Sequence, residues 1–82
     1  MHIVITEKEV VLTKQDYQSF REIQKDFFDY VTSRGPWSSE EIVDYLEIEY
    51  PNILPTVKEQ VDALVKSKHL EVALKGLVNK VT

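Results

Sequence analysis

Apolar positions recur along this chain with two different periods. At the start, β-branched Ile3, Val4, Ile5 and Thr6, then Val10, Val11 and Leu12, read as extended chain. The charged Glu7-Lys8-Glu9 between them suits an exposed hairpin turn, although neither Asn-Gly nor Asp-Gly is present; one irregular strand is the alternative. From Thr13 the period becomes helical. Thr13 is a candidate N-cap with Asp16 three positions on, and Tyr17, Phe20, Gln24, Phe27 and Val31 share one helix face. Ile23, Phe28 and Tyr30 widen that stripe, and Gly35-Pro36 closes the helix.

Two further helices follow. Ser38 stands three positions before Glu41, the spacing of a reciprocal capping box, and Ile42, Val43, Tyr45, Leu46 and Tyr50 continue at helical spacing up to Pro51. Pro51-Asn52-Ile53-Leu54-Pro55 forms a turn. Pro55 then opens a third helix striped by Val57, Val61, Leu64 and Val65, which ends around Lys68. Residues 70–74 and 77–81 read as two short strands about Lys75-Gly76. These segments predict a core of Phe20, Phe27, Ile42, Leu46, Val57, Val61 and Leu64.

The chain has 82 residues, enough for one domain, residues 1–82, made of an extended segment (1–12) and a body of helices and hairpin (13–82). Its longest apolar clusters are too short to span a bilayer, and Glu7-Lys8-Glu9 interrupts any signal-peptide run. With no cysteine there are no disulfides or thiolate metal sites. The expectation is a cytoplasmic protein without membrane contact.

Net charge is −4, but unevenly placed. Residues 1–54 hold five basic and eleven acidic side chains, whereas residues 55–82 hold five basic and three acidic ones. Such separation creates a positive face on a negative protein.

Catalysis and cofactors find little support. Glu22, Asp26 and Asp29 share a helix face with Lys25, and Glu40-Glu41 belong to a helix start; no nucleophile or base is arranged around them. His69 and Glu71 supply two alternating metal donors without a third, and no glycine-rich phosphate loop occurs. His2 falls at a frayed end. The aromatic residues at 17–37 follow core spacing rather than forming a base-stacking platform. No enzyme, metal or cofactor is expected.

Ser39-Glu40-Glu41-Ile42-Val43 through Tyr50-Pro51-Asn52-Ile53 and Thr56-Val57-Lys58 resembles the DNA-binding half of ferric uptake regulators. Val61-Asp62-Ala63-Leu64-Val65-Lys66 resembles the third helix of multiple-antibiotic-resistance repressors. Together they imply a winged helix-turn-helix domain over residues 14–82: mainly α, three helices plus a β-hairpin wing, with the N-terminal extended segment or hairpin added. Three departures stand out. Glu59 and Ala63 occupy positions where such repressors usually carry arginine. Lys68 replaces a glycine after the third helix and would have to turn left-handed. The metal-sensing half of the regulators is absent, so metal sensing does not carry over.

The resemblance implies that the third helix enters the major groove of double-stranded DNA and that the wing touches flanking phosphates. Lys58 and Lys66 would neutralise phosphates, Thr56 would bond a phosphate or a thymine edge, Gln60 would read adenine, and Lys75 would sit at the wing tip. Glu59 faces the groove with the wrong sign unless it accepts from a cytosine amine. On this reading the protein is a small transcriptional regulator, working as a homodimer on palindromic sites because one module offers few contacts. The extended segment supplies an exposed strand edge for such pairing. The alternative is a winged helix used for protein–protein contact, a subunit or inhibitor docking through its acidic face.

Overall fold

Consecutive apolar residues in a strand have a purpose only when both faces of the sheet are covered, because neighbouring side chains point to opposite sides. That is how Ile3-Val4-Ile5 and Val10-Val11-Leu12 are used. In the computed structural model, which describes residues 1–77, β1 (His2–Thr6) and β2 (Val10–Thr13) form an antiparallel hairpin pairing His2 with Thr13 and Ile5 with Val10. Its turn needs no Asn-Gly pair. Thr6 Oγ1 accepts from the amides of Lys8 and Glu9 at 3.2 and 3.0 Å, and the Thr6 amide donates to the Glu9 carbonyl.

The remaining elements are α1 (Phe20–Asp26), β3 (Tyr30–Arg34), α2 (Ser39–Glu49), α3 (Val57–Lys66) and β4 (Glu71–Ala73). The strands form one sheet in the order β3-β1-β2-β4, with β1 antiparallel to β3 and β2 antiparallel to β4. Ile3, Val10 and Leu12 pack with Ile42, Leu46, Ile53, Val57, Val61, Leu64 and Leu74 under α2 and α3. Val4 and Val11, pointing the other way, pack with Tyr17 and Ile23 beneath α1. The molecule is three layers: one short helix, a sheet, and a helix pair.

This overturns the mainly helical winged helix-turn-helix domain expected from the sequence. The long first helix is the main casualty. Thr13 is not an N-cap but the last, fully buried residue of β2, its hydroxyl accepting from the Gln15 amide. The helix begins only at Phe20, and chain beyond Phe27 turns extended because Tyr30, Val31 and Thr32 are aromatic or β-branched and find β1 as a partner. Phe20 is consequently exposed and Phe27 only half-buried, while Ile42, Leu46, Val57, Val61 and Leu64 are buried as expected. Gly35 does not cap a helix; it leaves β3 at φ +125°, beside the Met1 carbonyl.

Residues 2–12 are also not an exposed edge. They form the two inner strands, so the strand-addition route to a homodimer loses its basis; the edges belong to β3 and β4. Val31 is exposed and lies at a bulge where β3 pairing slips between Ile5 and Thr6, a device that blunts an edge against pairing. Of the expected wing hairpin, the first strand is β4, which pairs with β2; most of the second, 77–81, lies outside the described residues. Lys68 takes no left-handed conformation, since only glycines have positive φ among the described residues. Instead Ser67 is extended and its hydroxyl donates to the Leu64 carbonyl.

No helix among the described residues is long and apolar enough to cross a membrane.

Candidate functional site

The second and third helices are set by their ends. Ser38 Oγ accepts from the Glu41 amide while Glu41 accepts from the Ser38 amide at 2.9 Å, and Thr56 and Glu59 repeat the arrangement on α3. Four orphan amide donors are thereby satisfied, which fixes where each helix starts and which face it turns to the sheet.

That framework decides what the expected DNA contacts are available to do. Thr56 is the α3 N-cap, and its hydroxyl both accepts from the Glu59 amide and donates to the Glu59 carboxylate. Glu59 is committed to the same box. Gln60 is buried: its Nε2 donates to the carbonyls of Pro55 and Lys75 at 2.8 and 2.9 Å, and its Oε1 accepts from the Lys75 amide at 2.7 Å. It is a clamp between the start of α3 and the chain leaving β4, not a base-reading side chain. Lys58 is exposed and paired at 3.5 Å with Asp62, itself about half exposed, an i,i+4 pair of the kind worth at most a few tenths of a kcal/mol. Lys66 and Lys75 are exposed.

Glu59, Gln60 and Lys75 line one hollow of about 250 Å³ with Pro55, Leu64 and Val72. Lys58 is separated from them, lining a second hollow of about 250 Å³ with Glu40, Asp44 and Asp62. The structure thus brings Glu59, Gln60 and Lys75 together, with Thr56 bonded to Glu59, and sets Lys58 apart. On α3 itself Lys58 and Lys66 are balanced by Glu59 and Asp62, so the helix presents no net charge.

The neighbouring helix is different. Along α2 lie Glu40, Glu41, Asp44, Glu47 and Glu49, with no lysine or arginine. Ile42 and Leu46 point into the core; Glu40, Glu41, Asp44 and Glu47 therefore share the outward side with Ile48, Asp44 and Glu47 lying within about a turn of it, and Ile48 is 78% exposed. An isoleucine so exposed among carboxylates is the largest departure from simple solvation on this side of the molecule.

Three side chains with structural importance escaped sequence reasoning. Lys14 Nζ donates to the carbonyls of Leu64 and Ser67, both at 2.9 Å, and places its charge at the negative end of α3. Tyr17 is buried and its hydroxyl donates to Asp26 at 2.7 Å; burial first, and that bond second, raise its pKa. His2, in place of fraying, is 5% exposed in β1 with its ring edge-on to Tyr17 at 5.7 Å. None had a local signal, because each partner lies on another element.

The Gln60 clamp gives a direct check. Gln60→Ala leaves the Lys75 amide and two carbonyls without partners in a closed site, an expected loss of about 1–3 kcal/mol. Urea denaturation measures it; a midpoint unchanged from the parent would mean that water replaces the side chain at no cost.

Compared with known protein families, curated proteins and solved structures, the chain matches none of them.

Proposed function

We propose that the protein is an interaction module without catalytic activity, which docks the outward face of α2 onto a basic surface of another protein. The observation that carries this reading is the composition of that face: four carboxylates and one solvent-facing isoleucine on a helix with no basic residue. The carboxylates would steer a cationic partner and set its orientation, and Ile48 would give the contact an apolar centre.

Duplex DNA is the second reading, favoured by Lys66 and Lys75, which remain exposed beyond the acidic helix. Against it, Thr56, Glu59 and Gln60 are engaged within the fold, and α3 offers phosphates no net attraction. A role in transcription, and a homodimer on a palindrome, would follow only from that second reading.

The two readings predict opposite signs. Asp44→Lys with Glu47→Lys should weaken capture of a basic protein partner from nuclease-treated extract of the source cell by about tenfold or more, with Ile48→Asp acting in the same direction. Duplex binding by the parent should be absent at low salt. Capture indifferent to these three changes would sink the proposal. So would duplex binding by the parent whose salt dependence flattens by about one unit of slope in Lys66→Ala or Lys75→Ala.

A further inference from the structure

The two faces of the sheet are covered very unequally. Among the described residues, ten buried apolar side chains gather on the α2–α3 side, but only Val4, Val11, Tyr17 and Ile23 on the other. The cover there is the seven-residue α1, which buries Ile23 alone, together with Tyr17 from the segment leading into it. Tyr17 ties the two ends of this cover together through its bond to Asp26.

Beneath that cover lies His2. Its side chain shares the Val4 and Val11 face of the central hairpin, opposite Thr13, and its Nδ1 is buried with no hydrogen-bond partner. A neutral imidazole tolerates such a place; an imidazolium, which carries a donor on each nitrogen and a charge, does not.

We propose that His2 is an acid-sensitive latch: protonation of its imidazole releases the Tyr17–α1 cover from the sheet while the α2–α3 side stays folded. Gly35, packed against the ring on the β3 side, belongs to a link that reciprocal backbone bonds between Met1 and Trp37 hold in place.

The charges around His2 act in both directions. The Met1 ammonium on its own strand opposes a second positive charge, Asp16 beyond β2 favours it, and Asp26 of α1 is occupied by Tyr17. Tyr30 of β3 lines the same hollow but bonds to Ser33. Burial first, and the Met1 ammonium second, outweigh the Gln15 backbone and Asp16, which favour the charged ring, and lower the pKa of His2 below 6.5. The open form therefore takes up the proton first. Closure is fully stable above the ordinary imidazole range and weakens as pH falls from there through the lowered value.

The test is amide exchange on the chain carrying Met1 as its first residue, at pH 7.5 and 5.5, corrected for the intrinsic rate. One proton taken up on opening raises the opening constant by up to about tenfold across this interval. The Ile23 and Phe27 amides of α1 should show that increase, while the Tyr50 and Gln60 amides of α2 and α3 hold. His2→Phe should abolish the response, and Tyr17→Phe should loosen α1 equally at both pH values. Equal corrected protection of α1 at both pH values, loss in step across α1 and α3, or an undiminished response in His2→Phe would each overturn the proposal. If His2→Phe does not fold, NMR titration of His69→Asn, which retains only the His2 imidazole, decides it. Ring titration and α1 shifts should move together below the ordinary range; α1 shifts that ignore the ring would overturn the latch.

Discussion

Leu46→Ala is expected to destabilise the protein by about 2–5 kcal/mol, read as a lower denaturant midpoint with little change in slope. Leu46 is fully buried and belongs to the cluster joining α2 and α3 to Ile3, Val10 and Leu12 of the inner strands. Truncation removes three carbons and leaves a hole bounded by both helices and the sheet, where collapse of any one wall would disturb the other two. Since a small domain has only about 5–15 kcal/mol of total stability, the variant should be partly unfolded at physiological temperature. A midpoint within experimental error of the parent would mean that α2 does not pack against the sheet through this residue.

Gly35→Ala should have the other large effect, through the backbone. Gly35 has φ +125°, and a Cβ there would stand 2.7 Å from the Met1 carbonyl oxygen and about 3.0–3.1 Å from His2. The conformation alone costs a non-glycine residue on the order of 1–3 kcal/mol, and the collision with fixed backbone adds to it. The link from β3 to α2 must move away from the start of β1, breaking the two Met1–Trp37 bonds. Thermal denaturation of the alanine variant measures the loss. An unchanged melting temperature would show that this link does not hold the positive-φ geometry in solution.

What could be read from the sequence was whatever had a local cause. The start of α2 was legible because serine three positions before glutamate is a complete local signal; the same spacing of Thr56 and Glu59 starts α3, which the proline at position 55 was expected to open. The acidic character of residues up to 54 was legible as well, although only the fold shows α2 as its most uniform carrier. The span from Thr13 to Arg34 was misread because Tyr17, Phe20, Phe27 and Val31 fit a helical period by coincidence, while the β-branched and aromatic Tyr30-Val31-Thr32 respond to a partner strand nearly thirty residues earlier. The inner strands were misplaced for a related reason: an unbroken apolar run marks burial on both faces, yet an exposed strand edge was expected. Gln60 lies at the margin of the outward face of α3 by spacing, and only the resemblance gave it a base to read. Its partners at Pro55 and Lys75 could not be inferred from helical spacing.

The strand order has a consequence for how the chain reaches this state. Among the described residues the only local pairing, β1 with β2, sits at the centre, and both flanking strands come from far along the chain: Ile3 meets Arg34, and Val11 meets Ala73 about sixty positions later. Loop closure of that length costs entropy before any burial compensates it, so a high share of distant pairings slows folding. On the ribosome the hairpin emerges first, with both backbone edges bare and neither helical layer yet made. The sheet cannot be completed until Ala73 has left the exit tunnel, which makes maturation of this domain a late event that follows synthesis of nearly all its described residues.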